Sequence, residues 1–174
     1  MRAKTRNICL SALGAAIICL LAPVALPWGA TPITLSVFAV FLVARTLPVG
    51  CAAAGTAVYV ALGAAGLPVF AGFAGGFQVL AGPTGGFILA YIPAAVLVSL
   101  FRKNAVKSVV SMVASTTLCY FFGSLWMSLS TKAEFLPTLG AVAAVCILPD
   151  IIKIIAVMAL SRPLRRACGA LETK

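Results

Sequence analysis

Residues 137–160 read "PTLGAVAAVCILPDIIKIIAVMAL", and Asp150 and Lys153 are the charged side chains in that run. As a helix it would rise roughly 36 Å at about 1.5 Å per residue, more than the ~30 Å hydrocarbon core of a bilayer. A helix closes its own backbone hydrogen bonds where water is absent, so a run of this kind reads as a membrane-crossing segment. A membrane β-barrel would instead alternate polar and apolar residues, and this stretch does not.

The rest of the chain has the same character. Its 174 residues are 63% hydrophobic and 9% charged, with no histidine, and the mean hydropathy is +1.16. That profile lies far outside the range of soluble domains. The apolar runs predict helices at about 7–26, 33–47, 49–66, 84–101, 107–129 and 137–160. The expected fold class is therefore all-α: an integral membrane six-helix bundle forming one domain over residues 1–174, without a soluble domain or an internal repeat.

The net charge of +10 would suggest nucleic acid if the cations lined a soluble face, but their positions argue otherwise. Arg2, Lys4 and Arg6 precede the first run, Arg45 closes the second, Arg102, Lys103 and Lys107 separate the fourth from the fifth, and Arg162, Arg165, Arg166 and Lys174 follow the last. Eleven of thirteen cations thus fall at alternate helix ends, which places both termini in the cytoplasm and leaves Lys132 outside and Lys153 in the membrane. The expected location is the plasma membrane of a prokaryotic cell, with lipid and not nucleic acid as the surroundings. The opening "MRAKTRNICLSALGAAIICLLAPVALP" also has the outline of a signal peptide, but cleavage would remove the first member of the charge alternation.

The six cysteines include no CxxC pair and five fall within expected helices, so they read as small buried hydrophobes and no metal or other cofactor is expected. No GxxxxGK[ST] loop exists, and an enzyme would have only Asp150 and Lys153 for acid and base work, so catalysis is not expected.

Between the third and fourth helices runs "GLPVFAGFAGGFQVLAGPTGG" (66–86), with seven of the fifteen glycines plus Pro68 and Pro83. It is too rich in breakers for a helix and too apolar for a loop in water. Irregular backbone near membrane depth survives when it packs on protein or lines a wet cavity, so the stretch reads as a lid over an external pocket. Glycines supplying positive φ in a merely tight connection are the alternative. Between the first and second helices, "PWGATPITLS" offers the hydroxyls of Thr31, Thr34 and Ser36.

Asp150 and Lys153 sit three residues apart on one helical face, able to pair or to address one ligand together. A lone charge at membrane depth costs at least about 2.5–3.5 kcal/mol, so both are expected to face inward. A structural ion pair would satisfy the same pattern. Carboxylate and ammonium together suit a small solute bearing amide-like or urea-like groups. Trp28, Phe70, Phe73, Phe77, Phe87 and Tyr91 could supply apolar walls.

"GLPVFAG" with the glycines after it, "GPTGG" at 82–86, "TPITLS" at 31–36 and "DIIK" at 150–153 resemble the BioY family over nearly the whole chain. The resemblance implies the biotin-binding S component of an energy-coupling factor transporter. Such a protein captures biotin from outside, then releases it inward by toppling in the membrane, together with a transmembrane coupling subunit and a cytoplasmic ATPase pair. It assigns biotin contacts to Asp150 and Lys153, and coupling-subunit contacts to the small residues Ala12 and Ala16 of the first helix. Gln78 and Thr84 in the lid, Thr34 and Phe73 are further expected contacts, and Tyr91 stands in for a basic residue that some members carry on the fourth helix. Two alternatives stay open: an S component for another vitamin, and a structural subunit of a membrane complex.

Overall fold

The computed structural model describes residues 2–26 and 33–172, with side chains from 4 to 164 inside those ranges. Trp28 and Thr31 lie outside the described residues. Among the described residues seven α-helices follow one another: α1 (Arg2–Leu21), α2 (Ser36–Thr46), α3 (Val49–Ala64), α4 (Phe77–Ala81), α5 (Gly85–Leu100), α6 (Ala105–Thr131) and α7 (Phe135–Glu172). A short antiparallel pair, β1 (Ala25–Leu26) with β2 (Ile33–Thr34), joins α1 to α2, and a single 3₁₀ turn covers Ala71–Phe73.

Where six helices were expected there are seven. The additional one, α4, occupies "FQVLA", the longest stretch of 66–86 free of glycine and proline. Other boundaries moved for local reasons. α1 begins in the basic head, whose Arg and Lys are good helix formers, and stops before Pro23, which disfavours helical backbone at the residue preceding it. α2 starts three residues later than expected because β-branched Ile33 and Thr34 take extended backbone and pair with β1. α3 ends in a Schellman turn: Leu67 N–H donates to Leu62 C=O and Gly66 N–H to Gly63 C=O, with Gly66 at φ 108°, a conformation glycine adopts without a steric penalty. α6 starts earlier because the Asn104 side chain caps it, accepting from Val106 N and Lys107 N at 3.0 and 3.2 Å.

α1, α6 and α7 are long and apolar enough to cross a membrane, whereas α2, α3 and α5 are shorter apolar helices. α5 packs against α6, α3 and α2, with α1 against α3 and α7 against α2 and α6. The α5–α6 seam is built from small side chains, with Gly86, Ala90 and Ala94 facing the Ser111, Ser115, Cys119 and Gly123 side of α6. In lipid, where helices gain little from hydrophobic burial against one another, close backbone approach of this kind supplies the packing. A Cβ on Gly55 of α3 would meet Ser11 O at 2.8 Å, so the Ser11/Ala15 face of α1 is the one packed inward, while Ala12 and Ala16 are exposed.

On α7 the exposed Ile147, Leu148, Ile151, Ile152 and Ile155 form one face, and the buried Val142, Asp150, Val157 and Ser161 the other. At the end of the bundle where α2 and α5 finish, buried Arg45 donates to Ser161 Oγ (2.9 Å) and Arg102 C=O (3.1 Å), and Arg102 donates to Thr46 C=O (3.2 Å). These bonds tie α2, α5 and α7 together at the far end from the cavity described next.

Candidate functional site

A cavity of about 190 Å³ lies among α2, α3, α5, α6, α7, β2 and the 66–84 segment. One water needs roughly 10–15 Å³ on this measure, so the space suits an organic solute. The walls are mainly apolar: Ile33, Val37, Phe70, Val79, Phe87 and Ile88 all contribute. Phe70 is held by an edge-to-face contact with Tyr59 (centroids 5.6 Å apart, 88° between planes) and lies over Gly63, where any Cβ would run into its ring.

Asp150 and Lys153 both line the cavity. Lys153 Nζ donates to Asp150 Oδ1 at 2.7 Å, and the two side chains are 11% and 5% exposed. The carboxylate has a second partner, the Tyr120 hydroxyl of α6, which donates to Oδ2 at 2.6 Å. Among the described lining residues these two are the charged ones, and they cancel. A second polar group lies on the α2 side, where Tyr59 and Tyr91 both approach the Ser36 hydroxyl and Tyr91 also approaches Thr34. Ser36 itself donates to Ala22 C=O at 3.3 Å, which fastens the start of α2 to the end of α1. The cavity therefore presents a neutral ion pair to one part of a ligand and hydroxyls to another, within hydrocarbon walls.

The 66–84 segment is fastened at several points. Gly72 N–H donates to Pro23 C=O at 2.9 Å, Gly76 N–H to Gly63 C=O at 2.7 Å, and Trp126 Nε1–H of α6 to Gly82 C=O at 3.0 Å. Its residues Phe70, Ala71, Ala74, Val79 and Thr84 form part of the cavity wall.

Of the residues expected from sequence, Asp150, Lys153, Tyr91, Thr34 and Thr84 come together around this space. Gln78 and Phe73 do not. Gln78 is exposed and donates to Gly75 C=O at 3.2 Å, and Phe73, 70% exposed at φ 59°, points away from the wall. Phe77 is likewise exposed, while Phe70 and Phe87 do line the cavity. Sequence reasoning missed Tyr59, Tyr120, Thr116, Cys119 and Cys146. Tyr120 had one faint signal, since a tyrosine inside an apolar helix must find a partner for its hydroxyl.

The BioY family model matches residues 1–170. The biotin transporter BioY2 of Lactococcus lactis is 34% identical over 168 residues, covering 94% of this chain and 92% of that protein. A probable biotin transporter BioY of Pyrococcus horikoshii is 31% identical over 150 residues, covering 86% and 90%. Among solved structures, the crystal structure of the S-component for biotin from an ECF-type ABC transporter superposes with a TM-score of 0.87 at 25% identity, over 95% of this chain and 93% of that one.

Proposed function

Since the chain belongs to the BioY family, we propose that it is the biotin-binding S component of an ECF-type uptake transporter in a prokaryotic plasma membrane, a transporter subunit and not an enzyme. The observation that carries the reading is the Asp150–Lys153 pair on the wall of an apolar, ligand-sized cavity. Biotin offers a ureido ring with two N–H donors and a carbonyl, an apolar thioether ring and a carboxylate tail. The Asp150 carboxylate accepts from a ureido N–H, Lys153 donates to the ureido carbonyl, and Phe70, Phe87 and Ile88 enclose the apolar ring. Tyr91, Thr34 and Thr84 serve the tail with hydroxyls, in place of a cation. Gln78 and Phe73 take part after the 66–84 segment closes further as a lid.

In this reading the bundle is the six-helix S-component body of one domain, α4 being a part of the lid. Both termini face the cytoplasm. The exposed Ala12 and Ala16 face of α1 meets a transmembrane coupling subunit, and an ATPase pair on that subunit supplies the energy.

Equilibrium binding of radiolabelled biotin to the purified protein tests the assignment. Wild type binds tightly, and Asp150→Asn loses about 2–4 kcal/mol, roughly 30- to 700-fold in Kd. Unchanged affinity in Asp150→Asn sinks the site, and displacement of biotin by another vitamin at lower concentration sinks the ligand. The already closed ion pair also favours a second reading, a structural subunit that binds no solute. In that case biotin leaves the melting temperature unchanged, whereas a ligand bound only to the folded state raises it.

A further inference from the structure

Asp150 lies on α7 and Tyr120 on α6, and the hydroxyl of one reaches the carboxylate of the other across the cavity wall at 2.6 Å. Lys153 holds the opposite oxygen at 2.7 Å from the same helix as Asp150. The two carboxylate oxygens are therefore fixed by two elements, and the group cannot turn about its terminal torsion without giving up a charge-assisted hydrogen bond. An ionised carboxylate has about four acceptor directions, so each oxygen keeps one for a ligand. A cyclic ureide carries its two N–H bonds on opposite edges, so it meets such a carboxylate one N–H at a time, and the aim of the free lone pair decides whether that bond is straight.

We propose that Tyr120 is a positioning residue for ligand recognition, holding the Asp150 carboxylate in the orientation that accepts a ureido N–H before the ligand arrives. The assignment rests on the biotin reading above and adds a residue that touches the ligand's partner. Preorganisation of this kind raises affinity by removing an ordering cost from the binding step. Without the hydroxyl the carboxylate keeps its lysine and its charge but loses one of its two fixed points. Lys153 alone can follow it, because both sit on α7 three residues apart.

A double-mutant cycle on the full-length purified protein tests this, with biotin as the probe and Kd as the readout. Tyr120→Phe is expected to weaken biotin about 3- to 12-fold, the upper part of the range for the cost of ordering one side chain on binding. In the Asp150→Asn background the same substitution is expected to change Kd by less than about twofold, because the group it orients has gone. An equal penalty in both backgrounds, or none in the single variant, overturns the proposal. Dethiobiotin gives a second measurement that does not depend on weak binding by Asp150→Asn, since it retains the ureido N–H bonds and lacks the sulfur ring. Tyr120→Phe should penalise biotin and dethiobiotin by the same factor within about twofold. A loss confined to biotin would mean a change of cavity shape and would also overturn the assignment. Failure of folded wild type to bind biotin is a separate outcome that removes the biotin reading itself.

Discussion

At the scale of single residues, the ligand role proposed for the Asp150–Lys153 pair can be separated by substitution from its structural one. Both side chains are nearly enclosed at membrane depth, so neutralising one strands the other. Breaking a buried pair by removing one partner costs about 3–5 kcal/mol, whereas replacing both by uncharged residues of similar size is often close to neutral. Asp150→Asn and Lys153→Met should each lower the ligand-free melting temperature, and the double variant should recover most of the loss. Thermal unfolding in detergent reads this directly, and a double variant as unstable as the worse single one would contradict it. Biotin binding should stay lost in the double variant, because it removes both of the polar partners proposed for the ligand. These two residues were legible in sequence because charge inside a long apolar run is conspicuous. Tyr59 was not, and Tyr120 gave only the faint signal of a hydroxyl in an apolar helix: the use of either depends on which neighbouring element faces it.

Among the elements, the 66–84 segment is where sequence and structure diverge most. The glycine count announced irregular backbone; three of those glycines have positive φ, as the tight-connection alternative expects, and the segment also lines part of the cavity. α4 escaped notice because a five-residue helix lies within the spread of breakers that flank it. Gln78 and Phe73 drew attention as polar or aromatic residues in that stretch, but nothing in their type reveals which way a loop residue points. The helix–segment contact at Gly63 offers a test of how firmly the segment shapes the cavity. A methyl group there collides with the Phe70 ring, which is buried and braced by Tyr59, and overpacking of this kind costs about 1–3 kcal/mol. Gly63→Ala should therefore lower the ligand-free stability by about 1–3 kcal/mol and, by displacing Phe70 from the wall, also weaken biotin. Titration calorimetry against wild type measures it. Unchanged affinity would show that the Phe70 wall is dispensable.

For the whole molecule, the proposed orientation rests on how the cations are shared between the two ends of the bundle. Arg45 and Arg102 knit α2, α5 and α7 at one end, and Lys103, Lys107 and Arg162 belong to that same end. Such an excess of cations marks the cytoplasmic side. At the opposite end, Trp126 of α6 bonds to Gly82, so the 66–84 segment lies beside the α6–α7 turn that carries Lys132, where the helix stops in left-handed backbone (φ 56°). In the proposed orientation the cavity faces outward, as capture of an external solute requires. Cysteines introduced one at a time at positions 132 and 103, in a cysteine-free background that still binds biotin, test this against a membrane-impermeant maleimide. Lys132→Cys should react in intact cells, and Lys103→Cys only after the membrane is permeabilised. The reverse pattern would invert the bundle and place the biotin cavity on the cytoplasmic face, incompatible with uptake, and reaction of both sites in intact cells would contradict the charge rule for this chain. The alternation of cations was readable from the sequence alone. That the 66–84 segment belongs to the opposite end was not, because it depends on contacts between residues far apart in the chain, such as Gly82 with Trp126 and Gly72 with Pro23.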